Sequence, residues 1–556
     1  MHYSLLLFVS AIRTLTTSGI FMSTLSVSNP TALTCSFKSQ LLPELRKCAT
    51  TPIPRLRCSA VWSQKMSVER VLSIPRAGVS VSPSTLSSVI SSATADPVVF
   101  FDSLLGVLVL SAVIFKAADQ WGNADSKSSI NTTKKPPEVR ALQGKFLVAF
   151  WLLRCGYWMS GPYVVPAYKS KVFGDVQASM SLVSKIFLCG FAATAIFGPI
   201  IGQATDRYGR KAGTMMFALL YGLGCLSIRS QVLWVLFAGR ALVGCALGLL
   251  FTAPEAWVNG EARRTGLTPY LGETFGMAYT GDALVAIAAG KLASWAAATR
   301  GFTGPFDLAM IFLAAGGLVA GLTWKENKAL MKSDINGVLE GINKKKSSSM
   351  KEAFDLVCGN KKLILVGAVQ SLFEAVMYVF ILQWPQLVGQ AVGNMFGASA
   401  VTPFGTIFSC FMTCSLLGSL LFTKSIAIPQ RLTESTAACM LAVSTMSIGL
   451  AAVFARAKTT SLAGILGTLL IYETCVGMYF PVIGTIRSKL IPDDQKAIVL
   501  SLFGVPLNTF VVLIYLSISK LGLAGSLWVS SGALVLATGC MMKLRSIVKI
   551  EAEAST

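Results

Sequence analysis

Histidine is almost missing from this chain: His2 is the only one in 556 residues. Zinc sites built on imidazole, triads with a histidine base and histidine proton relays are therefore excluded. Charge is scarce as well. Only 13% of the residues are Asp, Glu, Lys or Arg, where a soluble domain carries about 25%. The 13 cysteines contain no C-x-x-C pair and no metal-ligand spacing, and Cys410 with Cys414 reads as packing on one helix face. No enzyme is indicated, and neither a metal nor a cofactor is expected. Acids are the rarer sign, 26 against 48 Lys and Arg, for a net charge of +22. The basic excess is dispersed over loops and the N-terminal stretch, with no basic and aromatic face. It reads as a membrane-topology signal and lipid-surface attraction, not as nucleic-acid binding.

What the chain has in quantity is apolar length: 53% of residues are hydrophobic and the mean hydropathy is +0.63. That combination predicts a multi-pass membrane protein. Residues 1–95 stand apart. They are rich in Ser, Thr and Arg, with Glu44 and Glu69 as the only acids, and have the composition of a targeting leader, disordered or cleaved, that suits a plastid or other organelle membrane. An apolar stretch at 96–120 predicts one helix. Six more spans are predicted at 143–166, 178–203, 212–229, 232–254, 271–295 and 305–324. A basic connector at 325–360 carries Lys344, Lys345 and Lys346. Six further spans at 361–388, 403–424, 432–455, 461–485, 496–519 and 523–544 precede a tail at 546–556. The expected fold is all-α, with a six-helix half at 143–324, a second at 361–545 and one extra N-terminal transmembrane helix. Lys and Arg concentrate in alternate loops, which places the connector and the C-terminus on the cytosolic side.

One short stretch between two spans is far more polar than its surroundings: Gly202-Gln203-Ala204-Thr205-Asp206-Arg207-Tyr208-Gly209-Arg210-Lys211. Arg207, Arg210 and Lys211 hold it at a membrane face. Asp206 is placed just before the next helix, where a carboxylate meets free N–H groups, and Gly209 allows a tight turn. The pattern G-x-x-x-D-R-x-G-R-K resembles the loop between the second and third helices of the major facilitator superfamily, which implies a cytosolic gate built on Gly202, Asp206, Arg207, Gly209, Arg210 and Lys211.

Charges inside spans are costly and should face the bundle interior or water. The cations are Arg154, Lys185, Arg240 and Lys291; the acids are Glu255, Glu273, Asp282, Glu374 and Glu473. Arg240 is well inside a span and needs a partner, either an incoming oxyanion or a membrane carboxylate. Glu255 on the same helix is about 22 Å away and cannot serve. The buried acids can carry a coupling proton or clamp helices. Lys185 and Lys291 sit where snorkelling to the interface is available.

Several segments resemble the molybdate-anion transporter family: Gly161-Pro162-Tyr163, Gly239-Arg240-Ala241-Leu242, Glu255-Ala256-Trp257, Gln370-x-Leu372-Phe373-Glu374, Gly405-Thr406-Ile407-Phe408-Ser409 and Gly477-Met478-Tyr479-Phe480-Pro481. The resemblance covers 95–545. It implies uptake of molybdate across the cell membrane by alternating access, with Arg240, Glu255, Trp257, Glu374 and Glu473 at family-like positions. Arg154 joins them as a pathway cation from its place in the first core span, although no family motif contains it. The expected partners are molybdate, the bilayer and protons as coupling ion. The alternatives are a carrier of a sugar, organic anion or drug, and a membrane sensor or scaffold that does not transport.

Overall fold

Long apolar stretches with capped ends dictate helices, and that is nearly all the chain contains. The computed structural model describes residues 96–122, 136–327, 350–426, 432–456, 461–491 and 496–555. The stretch read as a leader and most of the basic connector lie outside them. Helix α1 (Pro97–Gly122) comes first, then α2 (Pro137–Ser160), a 3-10 turn (Gly161–Tyr163) and the short α3 (Val164–Lys169). A hairpin of β1 (Val172–Phe173) and β2 (Val176–Gln177) pairs Val172 with Gln177. There follow α4 (Met180–Tyr208), α5 (Arg210–Ser227), α6 (Leu233–Arg264), α7 (Leu271–Arg300) and α8 (Gly304–Thr323). The second half opens with the short α9 (Met350–Gly359) and continues with α10 (Lys361–Phe396), α11 (Phe404–Ile426), α12 (Thr433–Arg456), α13 (Leu462–Leu490) and α14 (Lys496–Ser555). The last is two arms joined at Gly522, whose φ of 65° a side chain would resist.

Among the described residues nine stretches are long and apolar enough to cross a membrane, and two of these, 268–323 and Leu502–Glu551, each hold two helices. The more polar α2 and α5 complete two sets of six, with α1 in addition. Side-chain oxygens start several spans: Ser179 accepts from the Leu182 N–H, Asn360 from Lys362 and Ser461 from Gly464. Pro254 does not end α6 near the predicted boundary. It removes one ladder bond, and beyond it Arg264 reaches back to Glu261 at 2.5 Å, so the helix runs on to Arg264.

In the first half α2 packs on α7 and α8, while α4 and α5 both lie along α6. In the second, α10 and α12 lie along α14, and α11 and α12 along α13. The halves meet where α7 crosses α11 and α4 crosses α14. Small residues make these crossings close. A Cβ on Gly477 of α13 would stand 1.8 Å from the Ser415 carbonyl of α11, and one on Gly418 of α11 would stand 1.9 Å from the Thr474 carbonyl of α13. The two backbones therefore touch, the arrangement small residues permit in membranes.

The end of the bundle carrying the Tyr208–Lys211 turn is called the basic end here, and the other the far end. Trp234, Trp295 and Trp528, exposed by 71%, 62% and 47%, all lie within two turns of helix termini at the far end. They form the aromatic band expected at a membrane interface. Gly477→Leu should force α11 and α13 apart and destabilise the protein by about 1–3 kcal/mol. Thermal unfolding of the purified protein in detergent should shift downward, while Gly467→Ala, which meets no atom within 4 Å, should leave it in place.

Candidate functional site

The closest approach of α4 and α6 builds the setting of Arg240. A Cβ on Gly244 would stand 2.2 Å from the Gly190 carbonyl, and Thr194 donates to both the Gly190 and Gly244 carbonyls, at 3.0 and 2.8 Å. With no side chain on Gly190, the Arg240 stem lies directly over α4, and the guanidinium stacks on Phe187, 4.1 Å from its centroid. Phe187 contacts Tyr168 at 6.2 Å and, across the seam, Tyr515 of the second half at 6.5 Å. Phe191 does the same with Tyr515 and Tyr378, at 5.9 and 5.2 Å. Arg240 thus stands where the halves meet. Among the described residues no carboxylate pairs with it, and its buried Nε has no acceptor.

Arg154 is held differently. It is buried on α2 and paired with Asp282 of α7 at 2.6 Å, with Trp158 Nε1 donating to the other carboxylate oxygen at 2.8 Å. Phe150, Tyr157, Trp158 and Phe251 surround its guanidinium at 5.2–5.8 Å. Phe251 is nevertheless 51% exposed, so one side of this cluster is open. Lys185 is exposed on the outside of α4.

The three acids lie apart. Glu255 accepts a short hydrogen bond from Tyr279 of α7. Glu374 of α10 accepts from Tyr479 of α13 at 2.9 Å, and Arg487 donates to the neighbouring Gln370 at 3.1 Å. Glu473 is buried on α13 without a cation or hydrogen-bond donor among the described residues, close to Cys414 of α11. Trp257 is fully enclosed at the basic end, stacked on Trp324 at 4.0 Å, about 25 Å along α6 from Arg240. It fastens helices and lies outside the neighbourhood of Arg240.

The basic turn departs from its expected form. Helix α4 runs unbroken through Gly202, Asp206 and Arg207 to Tyr208, so Asp206 belongs to its last turn and not to a loop before α5. The side chain of Asp206 lies outside the described residues. Gly209 alone separates the helices, at a φ of 131°. The carboxylate that meets the free N–H groups of α5 is Glu326, accepting from Lys211 and Ala212 at 2.9 and 3.0 Å. A Cβ on Gly209 would collide with it at 2.2 Å. Trp324 donates to the Lys145 carbonyl, Trp257 to that of Lys325, Asn327 to that of Trp257, and the Arg210 N–H to that of Asn327. One short segment after α8 therefore ties α2, α5 and α6 together. Arg207 lies over the Tyr208 ring at 5.7 Å. Sequence reasoning passed over Glu326, whose signal was an acid directly after the last span of a half.

The far end is shut by a knot across the seam. Tyr163 accepts from the Gly405 N–H at 3.3 Å and meets Ser294, which accepts from the Thr406 N–H at 2.8 Å. Ser409 of α11 donates to the Ile287 carbonyl of α7 at 2.7 Å, and Gly290 and Gly405 bring those two backbones into contact. The hydrogen bonds and ring contacts described here between the two sets of six lie in the far half of the bundle.

A family profile described as sugar transporters with twelve transmembrane helices matches residues 117–473, more than half of the chain. The molybdate-anion transporter of Takifugu rubripes is 27% identical over 428 residues, covering 73% of this chain and 84% of its own. That of Xenopus laevis is 28% identical over 461 residues, covering 81% and 95%. Among solved structures, a peptide transporter mutant crystallised with sulfate superimposes with a TM-score of 0.60 at 15% identity, over 77% of this chain and 98% of that one.

Glu326→Gln should loosen the start of α5 by about 1 kcal/mol, the usual worth of a charged cap. Trypsin cleavage at Arg210 and Lys211 should accelerate severalfold, with little change at other sites.

Proposed function

Because the chain belongs to this twelve-helix family of the major facilitator superfamily, we propose that it is a secondary transporter carrying molybdate inward by alternating access. The observation that carries this reading is Arg240, a cation at the seam of the halves with no carboxylate paired to it among the described residues. In hydrocarbon such a charge calls for a partner, and the guanidinium fork suits the edge of a tetrahedral oxyanion. The names of the curated relatives supply the particular oxyanion. A sugar would leave the charge of Arg240 uncompensated, which favours an anion over the solute in the family's description.

By the positive-inside rule the basic end faces the cytosol. The far-end knot then closes the outer gate, and the site opens inward. Phe187, on which Arg240 stacks, meets Tyr515 of the second half, so an oxyanion on Arg240 would lie at the seam. Rocking of the halves breaks the Tyr163–Gly405 and Ser294–Thr406 bonds at one end and brings the basic ends together at the other. The clasp of Glu326 keeps α5 and α6 moving as one body with α2. Glu374, bonded to Tyr479, and Glu473, buried without a cation among the described residues, are the groups through which a proton would be coupled to the anion.

Trace molybdate uptake in molybdenum-starved cells making the full chain should saturate, be blocked by tungstate and be spared by sulfate. Arg240→Ala should reduce uptake at least about tenfold at unchanged protein abundance, the loss of one charged contact. Uptake unaffected by Arg240→Ala would remove it from the pathway, and an absence of flux from protein confirmed in the membrane would reject the substrate. In proteoliposomes, Glu374→Gln or Glu473→Gln should abolish uptake driven by a pH gradient while preserving molybdate exchange at equal pH. Loss of both would assign these acids to folding or binding.

A further inference from the structure

Helix α1 stands outside the two sets of six, and the transport reading gives it no task. Its seat is in the second half. Phe101 is fully buried, and its carbonyl lies 3.9 Å from the Cys410 thiol of α11. Phe100 turns edge-on to Phe101 at 5.1 Å and reaches Phe396, the last residue of α10, at 6.1 Å. The next residue points elsewhere: Asp102 pairs with Lys291 on α7 of the first half. Lys291 adjoins Gly290, whose carbonyl stands where Gly405 of α11 has no room for a Cβ. One turn of α1 thus touches both halves directly behind the far-end knot.

The pair is 41% and 47% exposed on the outer surface of membrane-spanning helices. Lipid is the neighbour there, so either charge alone would be strongly disfavoured. Each is the other's compensation, and Lys291 has no need to snorkel. The rest of α1 presents Val107, Leu110, Val113 and Ile114 outward and contributes little to the core.

We propose that α1 is a strap across the seam, seated on α11 and tied to α7 through Asp102 and Lys291, and that it holds the far end closed. The inference rests on the alternating-access reading above. When the far end opens, α7 moves away from α11 while α1 stays with α11, so the ion pair must part.

The test uses the full chain with Ser294→Cys, which puts a thiol in the knot. A charged, membrane-impermeant maleimide is added from the far side, and the Ser294 protein supplies the background from native thiols. Asp102→Asn and Lys291→Gln should each raise the labelling rate about fivefold by shifting the population toward the open far end. Exchanging the charges, Asp102→Lys with Lys291→Asp, should restore the parental rate. Equal rates in all variants at parental abundance would overturn the strap. If the single variants do not accumulate, the exchanged protein decides: parental labelling supports the strap, and raised labelling or failure to accumulate overturns it. Labelling requires no molybdate flux, so a parent protein that takes up no molybdate would defeat the substrate reading without touching this comparison.

Discussion

A full charge in hydrocarbon is stable only opposite a counter-charge, a set of dipoles or water, and that requirement orders the interior of this bundle. Arg154 has Asp282, with Trp158 completing the carboxylate. Lys291 has Asp102. Glu255 and Glu374 have tyrosine hydroxyls. Arg240 has the aromatic face of Phe187. Among the described residues no carboxylate answers its formal charge. The same logic makes buried pairs poor substrate ligands: an anion drawn to Arg154 would have to displace Asp282.

The helices can place these charges because their backbones come close enough to touch. Gly190 and Gly244 lay Arg240 over α4, Gly290 and Gly405 seat the far-end knot, and Gly418 and Gly477 lock α11 to α13. Between lipid-like surfaces there is little hydrophobic gain in helix association, so contact must come from shape and from hydroxyls such as Thr194, Ser294 and Ser409 that reach a carbonyl or N–H on the next helix.

Spans, their alternation and the basic loops could be read from residue order because each depends on local composition: an apolar run, a cap, a Gly. The intramembrane charges were identifiable as a set for the same reason. Their partners were not, since Arg154 and Asp282 are 128 residues apart and the pairing of Asp102 with Lys291 spans 189. The basic turn illustrates the boundary. Its Gly209 was evident, because a sharp reversal between two helices demands it. Glu326 meets the first N–H groups of α5, and α4 runs through Asp206 so that only Gly209 separates the two helices. Trp257 was singled out by motif, yet its indole serves the stack with Trp324.

On the proposed reading, the depth of Arg240 divides the electrical work of transport between binding and release. Trp234 marks the far interface on α6, and Arg240 lies about 9 Å along the same helix. Of an apolar core about 30 Å thick, most remains between Arg240 and the basic end. A dianion released from there toward the cytosol therefore traverses the larger part of the membrane field. Each charge carried across 100 mV is worth about 2.3 kcal/mol, so an inside-negative potential opposes a dianion by up to about 4.6 kcal/mol. Two accompanying cations cancel that work and a third reverses its sign. On the proposed reading, the position of Arg240 leaves most of that work to the inward step, while the number of accompanying cations decides whether the membrane potential hinders or drives accumulation.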